Sequence, residues 1–517
     1  METRFATSFQ PTTLAAAAVA LWLAAKLLKA FTARKRELYP PGPRPKFLIG
    51  NLLDLPSVIS PMAFAEWEKK YNSPLLHAEV FGRHILIVNS LDDAIALFER
   101  PERARIYSDK PEFPVLDMMG MDINVGMMPY GEHWRKHRRV SHQNFNIQAA
   151  LQYEPVQAKH VRNLLQNILD SPARFHDHNK LYSAAITLSA MYGYEVKSID
   201  DPCVTLADEA LRLTSQLITP GGSIINVIPA LRHVPAWFPF AYSKRTAEKA
   251  KAMTEEILRI PLEHVKRNFE RGTVSPSLVT NFYERKLAVG ASEEEEMVIK
   301  NVAYTVYGAG SDTTASLTYT FVYLMTVHPS IQRKAQEEID RVVGSSRLPA
   351  LADRKALPYV EAVYREVLRL YPPLPLGLPR ATSEDDVYDG YFIPKGTTVF
   401  TNIWAMSRNE RDYPDPSRFD PERHFTNGQL MDEKALAYGF GRRKVGCVGR
   451  PMASNTVWLM MVSILYAFTI TKAKDEDGND VQVNDQFLSI GIMTHKQPFE
   501  CAFHPRIPGI RQLIAEA

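Results

Sequence analysis

"YGFGRRKVGCVGRPMA", Tyr438 to Ala453, sets a single cysteine between glycines, just after two arginines and a lysine. The next stretch, "SNTVWLMMVSILYAF", is strongly apolar and long enough to form a buried helix. Glycines on both sides of a thiol allow a tight loop whose backbone comes close to a partner. The neighbouring cations and a helix N-terminus favour a thiolate over a thiol. A thiolate in a Gly-rich loop is either a nucleophile or a metal ligand, and the rest of the chain has to decide between them.

The chain has 517 residues, 45% hydrophobic and 23% charged, which is enough to bury a sizeable core. A soft prior of about 150 residues per domain suggests some three units. No low-complexity linker or internal repeat follows residue 45, so one large unit over 46–517 fits better. A net charge of +3 does not argue for nucleic acid. The cysteines are Cys203, Cys447 and Cys501, with no C-x-x-C pair and no even framework. Disulfide staples and a Cys-rich zinc site are both disfavoured.

The N-terminus has a different character. "TTLAAAAVALWLAAKLLKAF", Thr12 to Phe31, is apolar except for Lys26 and Lys29. Lysines near the end of a span can snorkel, so about twenty residues still suffice to cross a bilayer. A cleaved secretory peptide is the rival reading, weakened by the missing small-residue cleavage site. Arg34, Lys35 and Arg36 place the C-terminal side in the cytosol by the positive-inside rule. Pro40, Pro41, Gly42, Pro43 and Pro45 then form a stiff, non-helical spacer. The expected organisation is a membrane anchor over 1–33, a basic, Pro-rich hinge over 34–45, and a cytosolic body over 46–517.

Ser292 and Glu295 have capping-box spacing, and Pro329 stands where a helix would end. Between them runs "EMVIKNVAYTVYGAGSDTTASLTYTFVYLMTVH", nearly apolar on every face and therefore a buried helix. Its middle is unexpected. Gly308 and Gly310 each weaken a helix by roughly 1 kcal/mol relative to Ala. Asp312 brings a carboxylate into an apolar neighbourhood, where it must be paired or shifted in pKa. Either this is a polar kink satisfied locally, or it is a ligand-facing notch with Asp312 and Thr313 as a proton-delivering acid and alcohol.

Two charged constellations remain. Glu366 and Arg369, three apart, share one helix face, and "RFDPERHF" offers Arg423 as a third member. If buried, two arginines around one glutamate make a locked network. Trp134 and Arg138, four apart in "YGEHWRKHRRV", can face one ligand from one helix. A basic surface helix is the plainer alternative, and nucleic-acid binding is disfavoured because no second basic and aromatic stripe accompanies it.

Together these pieces resemble the cytochrome P450 family of haem–thiolate monooxygenases, in particular its fungal O-methylsterigmatocystin oxidoreductase-like group. The match runs in order through W-x-x-x-R, A-G-x-D-T-T at Ala309 to Thr314, E-x-x-R, P-E-R at Pro421 to Arg423, and the cysteine loop. The resemblance implies a mainly α fold with small β-sheets (α+β), preceded here by one N-terminal transmembrane helix. It implies haem b with Cys447 as axial iron ligand, a thiolate that favours O–O cleavage. Trp134, Arg138, Arg380 and Arg443 would hold the haem, and Glu366, Arg369 and Arg423 would be structural. Asp312 and Thr313 would guide protons during oxygen activation. Met118, Met119, Met121, Ala309, Gly310 and Ile492 would line the substrate pocket, with Ala309 and Gly310 leaving room for O2.

The implied reaction inserts one oxygen atom from O2 into a lipophilic small molecule of fungal secondary metabolism, on a terpenoid, polyketide or indole scaffold. Electrons would come from NADPH through NADPH–cytochrome P450 reductase, with cytochrome b5 as a further partner. Lys136, Arg442, Arg443 and Lys444 would help dock an acidic partner. The implied location is the endoplasmic reticulum membrane, single-pass, with the body facing the cytosol. "NVIPALRHVPAWFPF", Asn226 to Phe240, would be an apolar loop dipping into that membrane.

The chain departs from the family pattern F-x-x-G-x-R-x-C-x-G. Three residues, Lys444, Val445 and Gly446, stand between Arg443 and Cys447 where one is usual. Aligning "YGFGRR" puts Tyr438 at the first Phe, whereas counting back from the cysteine puts Phe440 there. His424 replaces the aromatic usual after P-E-R. The expectation is an active oxygenase whose extra pair of residues bulges away from the cysteine. The rivals are a haem–thiolate isomerase or dehydratase, and an inactive binder of lipophilic ligands with a distorted haem loop.

Overall fold

The computed structural model describes Trp22 and residues 38–56, 60–218, 222–239, 241–432, 436–440 and 446–516. Apart from Trp22 and 38–45, the expected anchor and hinge lie outside the described residues, as do Arg442, Arg443 and Lys444. Among the described residues no helix is long and apolar enough to cross a membrane.

Short strands and long helices give the expected mainly α architecture. Strands β1 (Leu75–Val80) and β2 (Arg83–Val88) form a hairpin. Phe81 and Gly82 turn it with φ of 49 and 79, the doubly positive conformation that suits the twist of a two-residue loop. Strands β3 (Arg380–Ala381) and β4 (Thr398–Thr401) complete a sheet of order β1-β2-β4-β3, with β4 parallel to β2. Both faces are covered. Leu86 and Val88 pack with Phe98, Tyr107 and Phe440 on one side, and Ile85 and Ile87 pack with Phe64 and Phe400 on the other. A near-continuous apolar run is what a strand buried on both faces requires.

The principal helices are α1 (Glu132–Phe145), α2 (Glu154–Asp170), α3 (Phe175–Tyr192), α4 (Pro202–Ile218) and α5 (Tyr242–Arg271). They continue with α6 (Glu293–Val327), α7 (Pro329–Val343), α8 (Pro358–Leu370) and α9 (Arg450–Ala467). Helix α6 starts on the anticipated capping box, Ser292 with Glu295, and stops before Pro329. It packs along α3 and touches α1, α8 and α9. Helix α9 is buried on every side from Thr456 to Ala467, as its apolar sequence requires. At the C-terminal end, strands β5 (Phe468–Lys472) and β8 (Cys501–Pro505) pair, and β6 (Phe487–Ile490) and β7 (Met493–Lys496) form a hairpin.

Helix α6 runs unbroken through the "GAGSDTT" stretch, so the polar kink is absent. The burial pattern is what changes. Val298 to Tyr304, apart from Lys300, and Leu317 to Met325 are buried, whereas Ala309 is exposed and Gly308, Gly310 and Ser311 to Thr313 are half-buried. An exposed alanine in the middle of a core helix means that the helix borders a hollow there.

Candidate active site

The cysteine loop is closed at its stem. The Cys447 N–H donates to the Tyr438 carbonyl at 3.1 Å, and Gly439, at φ +87, lies against Gly446. Tyr438 is held in turn by a hydroxyl–hydroxyl hydrogen bond to Tyr364 on α8, 2.6 Å. The far side is anchored by Arg354, which donates to Ser454 at 2.8 Å, to Asn455 at 3.2 Å and to Glu361 at 2.8 Å. The second turn of α9 is thereby tied to α8. Tyr438, at the head of the loop motif, and Cys447 therefore meet across the stem.

Cys447 is accessible although protein surrounds it, so the thiol looks into an internal hollow. Burial raises its pKa, while the backbone N–H groups of Gly449 and Arg450 and the charges of Arg138 and Arg450 pull it down. The cations and helix start expected to favour a thiolate are therefore present, but burial outweighs them in the bare protein. A metal at the sulfur would shift that balance, because a coordinating thiol is deprotonated outright.

Trp134 is buried on α1, and Arg138 on the same helix reaches the Gly446 carbonyl at 3.5 Å, next to the cysteine. Arg380 enters from β3, with its guanidinium over the Phe98 ring at 4.8 Å and a hydrogen bond to the Phe440 carbonyl. Its Nη1 is buried without a hydrogen-bond partner, and burial pulls its pKa down to about 10. A buried cation with an unsatisfied donor is costly unless an anion meets it. Arg138 and Arg380, together with a thiol open to the hollow, fit a flat metal macrocycle carrying carboxylates. Arg443 lies outside the described residues.

Thr313 and Ala309, one helical turn apart, line the hollow, and the Thr313 hydroxyl donates to the Ala309 carbonyl at 2.8 Å. Asp312 lies one step round the helix and meets His495 on β7 at 3.4 Å. Gly310 departs from expectation. A Cβ there would sit 2.8 Å from the Thr187 methyl on α3, so this glycine serves helix packing, not room for O2. Gly308 has open space where its Cβ would stand. Met119 is fully buried, and Met121 accepts a hydrogen bond from Thr214 at 3.1 Å, so both fill core where pocket lining was expected. Met118 and Ile492 are half-buried against the same core.

Glu366 is fully buried and accepts from Arg369 (2.8 Å twice), Arg423 (2.9 Å) and the Asp420 N–H (3.0 Å), with His424 at 3.0 Å. Arg369 also donates to the carbonyls of Ser407, Pro416 and Arg418, and Arg423 to those of Pro414, Asp415 and Arg418. The network thus holds the irregular chain before the cysteine loop. His424, which looked like a departure, is a fourth member. A polar residue replacing an aromatic beside a charged motif was the signal for it. Nothing in the sequence joined His495 to Asp312, or Arg354 to Ser454.

An accessible cysteine with the half-buried Arg138 next to it, the buried and unsatisfied Arg380 and an alcohol-bearing helix notch fit a haem–thiolate site. The chain belongs to the cytochrome P450 family, whose sequence pattern matches residues 40–503. It is similar to a cytochrome P450 monooxygenase of Armillaria gallica, at 35% identity over 97% of this chain and 99% of the relative. Cytochrome P450 monooxygenase COX2 of Coprinopsis cinerea is 36% identical over 96% of this chain and 95% of its own length. Monooxygenase ppsD of Aspergillus oryzae is 36% identical, covering 92% and 90%. The chain is accordingly an oxidoreductase of the monooxygenase type, with the haem and reductase-supplied electrons that this family implies.

Proposed function

We propose that this chain hydroxylates or epoxidises a lipophilic fungal secondary metabolite on a terpenoid, polyketide or indole scaffold, using NADPH electrons passed on by a membrane-bound reductase. Haem, when bound, supplies the activation of O2, one atom entering the substrate and the other leaving as water. The protein's own residues do the rest. Cys447 would hold the iron, Arg138 and Arg380 would neutralise the carboxylates, and Trp134 would pack beside the group. Thr313 and Asp312 hold and move protons at the rim of the hollow, while the Glu366 network keeps the cysteine loop's approach rigid. The observation that carries this reading is an accessible Cys447 with the Arg138 guanidinium reaching the adjacent Gly446 carbonyl at 3.5 Å, together with the buried, unsatisfied Arg380 Nη1.

The proposed location is the endoplasmic reticulum membrane, with residues 1–33 as a single-pass anchor. Exposed Trp237 (80%), Phe238, Ile224 and Ile228 support a second, monotopic contact that offers a lipophilic substrate direct entry. Lys136 is already paired with Glu294 at 2.5 Å, which weakens its assignment to partner docking. Co-expression with a fungal reductase and product profiling against the three scaffold classes tests the reading. Turnover that persists without NADPH would favour an isomerase, and ligand-induced spectral shifts without turnover a binder.

A further inference from the structure

A cleft of ≈ 320 Å³ opens between α3, α4, α6 and the β6–β7 hairpin, and Asp312 lies on its wall. Asp312, Ala315, Ser316 and Tyr319 line it from α6. Their spacing of three, four and seven residues makes them one face of that helix. Thr313 and Ala309 lie on the neighbouring face, toward the hollow. Asp312 is therefore placed between an outer polar cleft and the inner hollow.

The hairpin is built to present His495 at this point. Ser316, one turn beyond Asp312, donates to the Thr494 carbonyl at 2.6 Å, and the Thr494 N–H donates to Pro373 at 3.0 Å. At the hairpin tip, Gly491 has φ +60, and a Cβ there would fall 2.3 Å from the Ser215 Cβ on α4, so the turn is seated directly against that helix. His495 then meets the Asp312 carboxylate at 3.4 Å, both side chains remaining partly accessible.

We propose that His495 supplies Asp312 with protons from solvent in this cleft. The inference rests on the oxygenase reading of Asp312. The imidazole takes a proton from water at Nδ1 and passes its Nε2 proton to the Asp312 carboxylate; exchange of the Nδ1 proton to Nε2 through cleft water then restores the starting tautomer. The other charged groups facing the cleft are committed. Lys180 pairs with Asp208 at 2.5 Å, and Arg212 with Glu209 at 2.7 Å. Lys496 donates to the Gln486 and Gln497 carbonyls over the rings of Tyr323, Phe487 and Phe499. His176 stands edge-on to Tyr319 at 5.0 Å, and burial holds its pKa down.

His495→Gln keeps a hydrogen-bonding side chain but cannot relay a proton. Its melting temperature and substrate-induced spectral shift should match the parent. Product formed per NADPH should fall about tenfold, below the ~10²–10⁴ of a directly acting group because cleft water substitutes in part. The solvent deuterium isotope effect should rise. Independently of turnover, NMR of ¹³C-labelled histidine should show the His495 ring resonance displaced in Asp312→Asn, since the imidazole loses the carboxylate it meets at 3.4 Å. A His495 ring resonance unmoved by Asp312→Asn overturns the contact. Parental coupling and isotope effect in His495→Gln, with coupling lost in Asp312→Asn, overturns the role of His495 and leaves that of Asp312 standing. Parental coupling in both variants removes Asp312 itself from the mechanism.

Discussion

The N–H of Cys447 donates to the carbonyl of Tyr438 at 3.1 Å, so the thiol-bearing residue is fixed to the first residue of its own loop motif. Chain length between these two points can vary while both ends stay in place. Deleting two residues from Lys444–Gly446 should therefore leave the thiolate-type spectrum of the reduced carbon monoxide complex intact, and Cys447→Ser should abolish it. Tyr438→Phe loses the 2.6 Å bond to Tyr364 and should cost about 1 kcal/mol in denaturant unfolding. A parent that takes up haem without a thiolate-type band, gaining one only on deletion, would show a degraded site instead.

Glu366 gives a stability signature in acid. Burial alone would raise its pKa, but the hydrogen bonds from Arg369 and His424 and the Arg369 charge hold it at about 2, against 4.5 for the free side chain. A depressed carboxylate contributes stability that is fully present above pH 4.5 and lost as pH falls through about 2. The contribution is about 3 kcal/mol at 1.36 kcal/mol per pH unit. Glu366→Gln should flatten this part of the pH–stability curve. It should also destabilise at neutral pH by ~3–5 kcal/mol, because Arg369 and Arg423 are left buried without a counter-charge. His424→Phe should move the acid transition to higher pH, as read by circular dichroism.

Helix positions were legible in the sequence because α6 and α9 are apolar all round and carry strong end signals, Ser292 with Glu295 and the stop at Pro329. Glu366 with Arg369 and Trp134 with Arg138 were legible because helical spacing brings such pairs onto one face. What the sequence could not show are contacts across long separations, such as Asp312 with His495 or Gly310 with Thr187. Helical periodicity says that Gly310 and Ala309 face different ways, but not which of them faces the hollow. That depends on how α3 docks.

Gly310→Ala measures that docking. The added methyl would stand 2.8 Å from the Thr187 methyl, inside van der Waals contact. Overpacking costs typically 1–3 kcal/mol, offset by about 1 kcal/mol of helix propensity. The net loss should be modest and should largely vanish in Gly310→Ala/Thr187→Ser, which removes the opposing methyl but keeps the hydroxyl bonded to Ser311 at 2.8 Å. Additive losses in the double variant, by thermal melting, would mean that the two residues are not in contact.

Removing residues 1–33 should release most of the protein from membranes, with partial retention through exposed Trp237 and Phe238. Fractionation of cells expressing both forms decides this. A full-length protein secreted with its N-terminus after residue 31 would refute the anchor.

Thr313 is the sharpest test of the notch. Its hydroxyl hydrogen is directed at the Ala309 carbonyl, 2.8 Å away, leaving oxygen lone pairs turned toward the hollow. From there it can accept a proton donor and pass its own proton on, a role that shape alone cannot fill. Thr313→Val keeps the volume and removes the hydroxyl, so substrate-induced spectral shifts and haem content should stay near parental. Product per NADPH should drop by about tenfold or more, with the missing electrons recovered as hydrogen peroxide. Thr313→Ser, which restores the hydroxyl on a freer side chain, should recover part of the coupling. The same order of coupling, parent above Ser above Val, should appear with any substrate the enzyme accepts, because the hydroxyl acts on protons and not on the substrate. If Val and parent couple equally while peroxide stays low, the hydroxyl only caps the Ala309 carbonyl, and the proton reaches the hollow by another path.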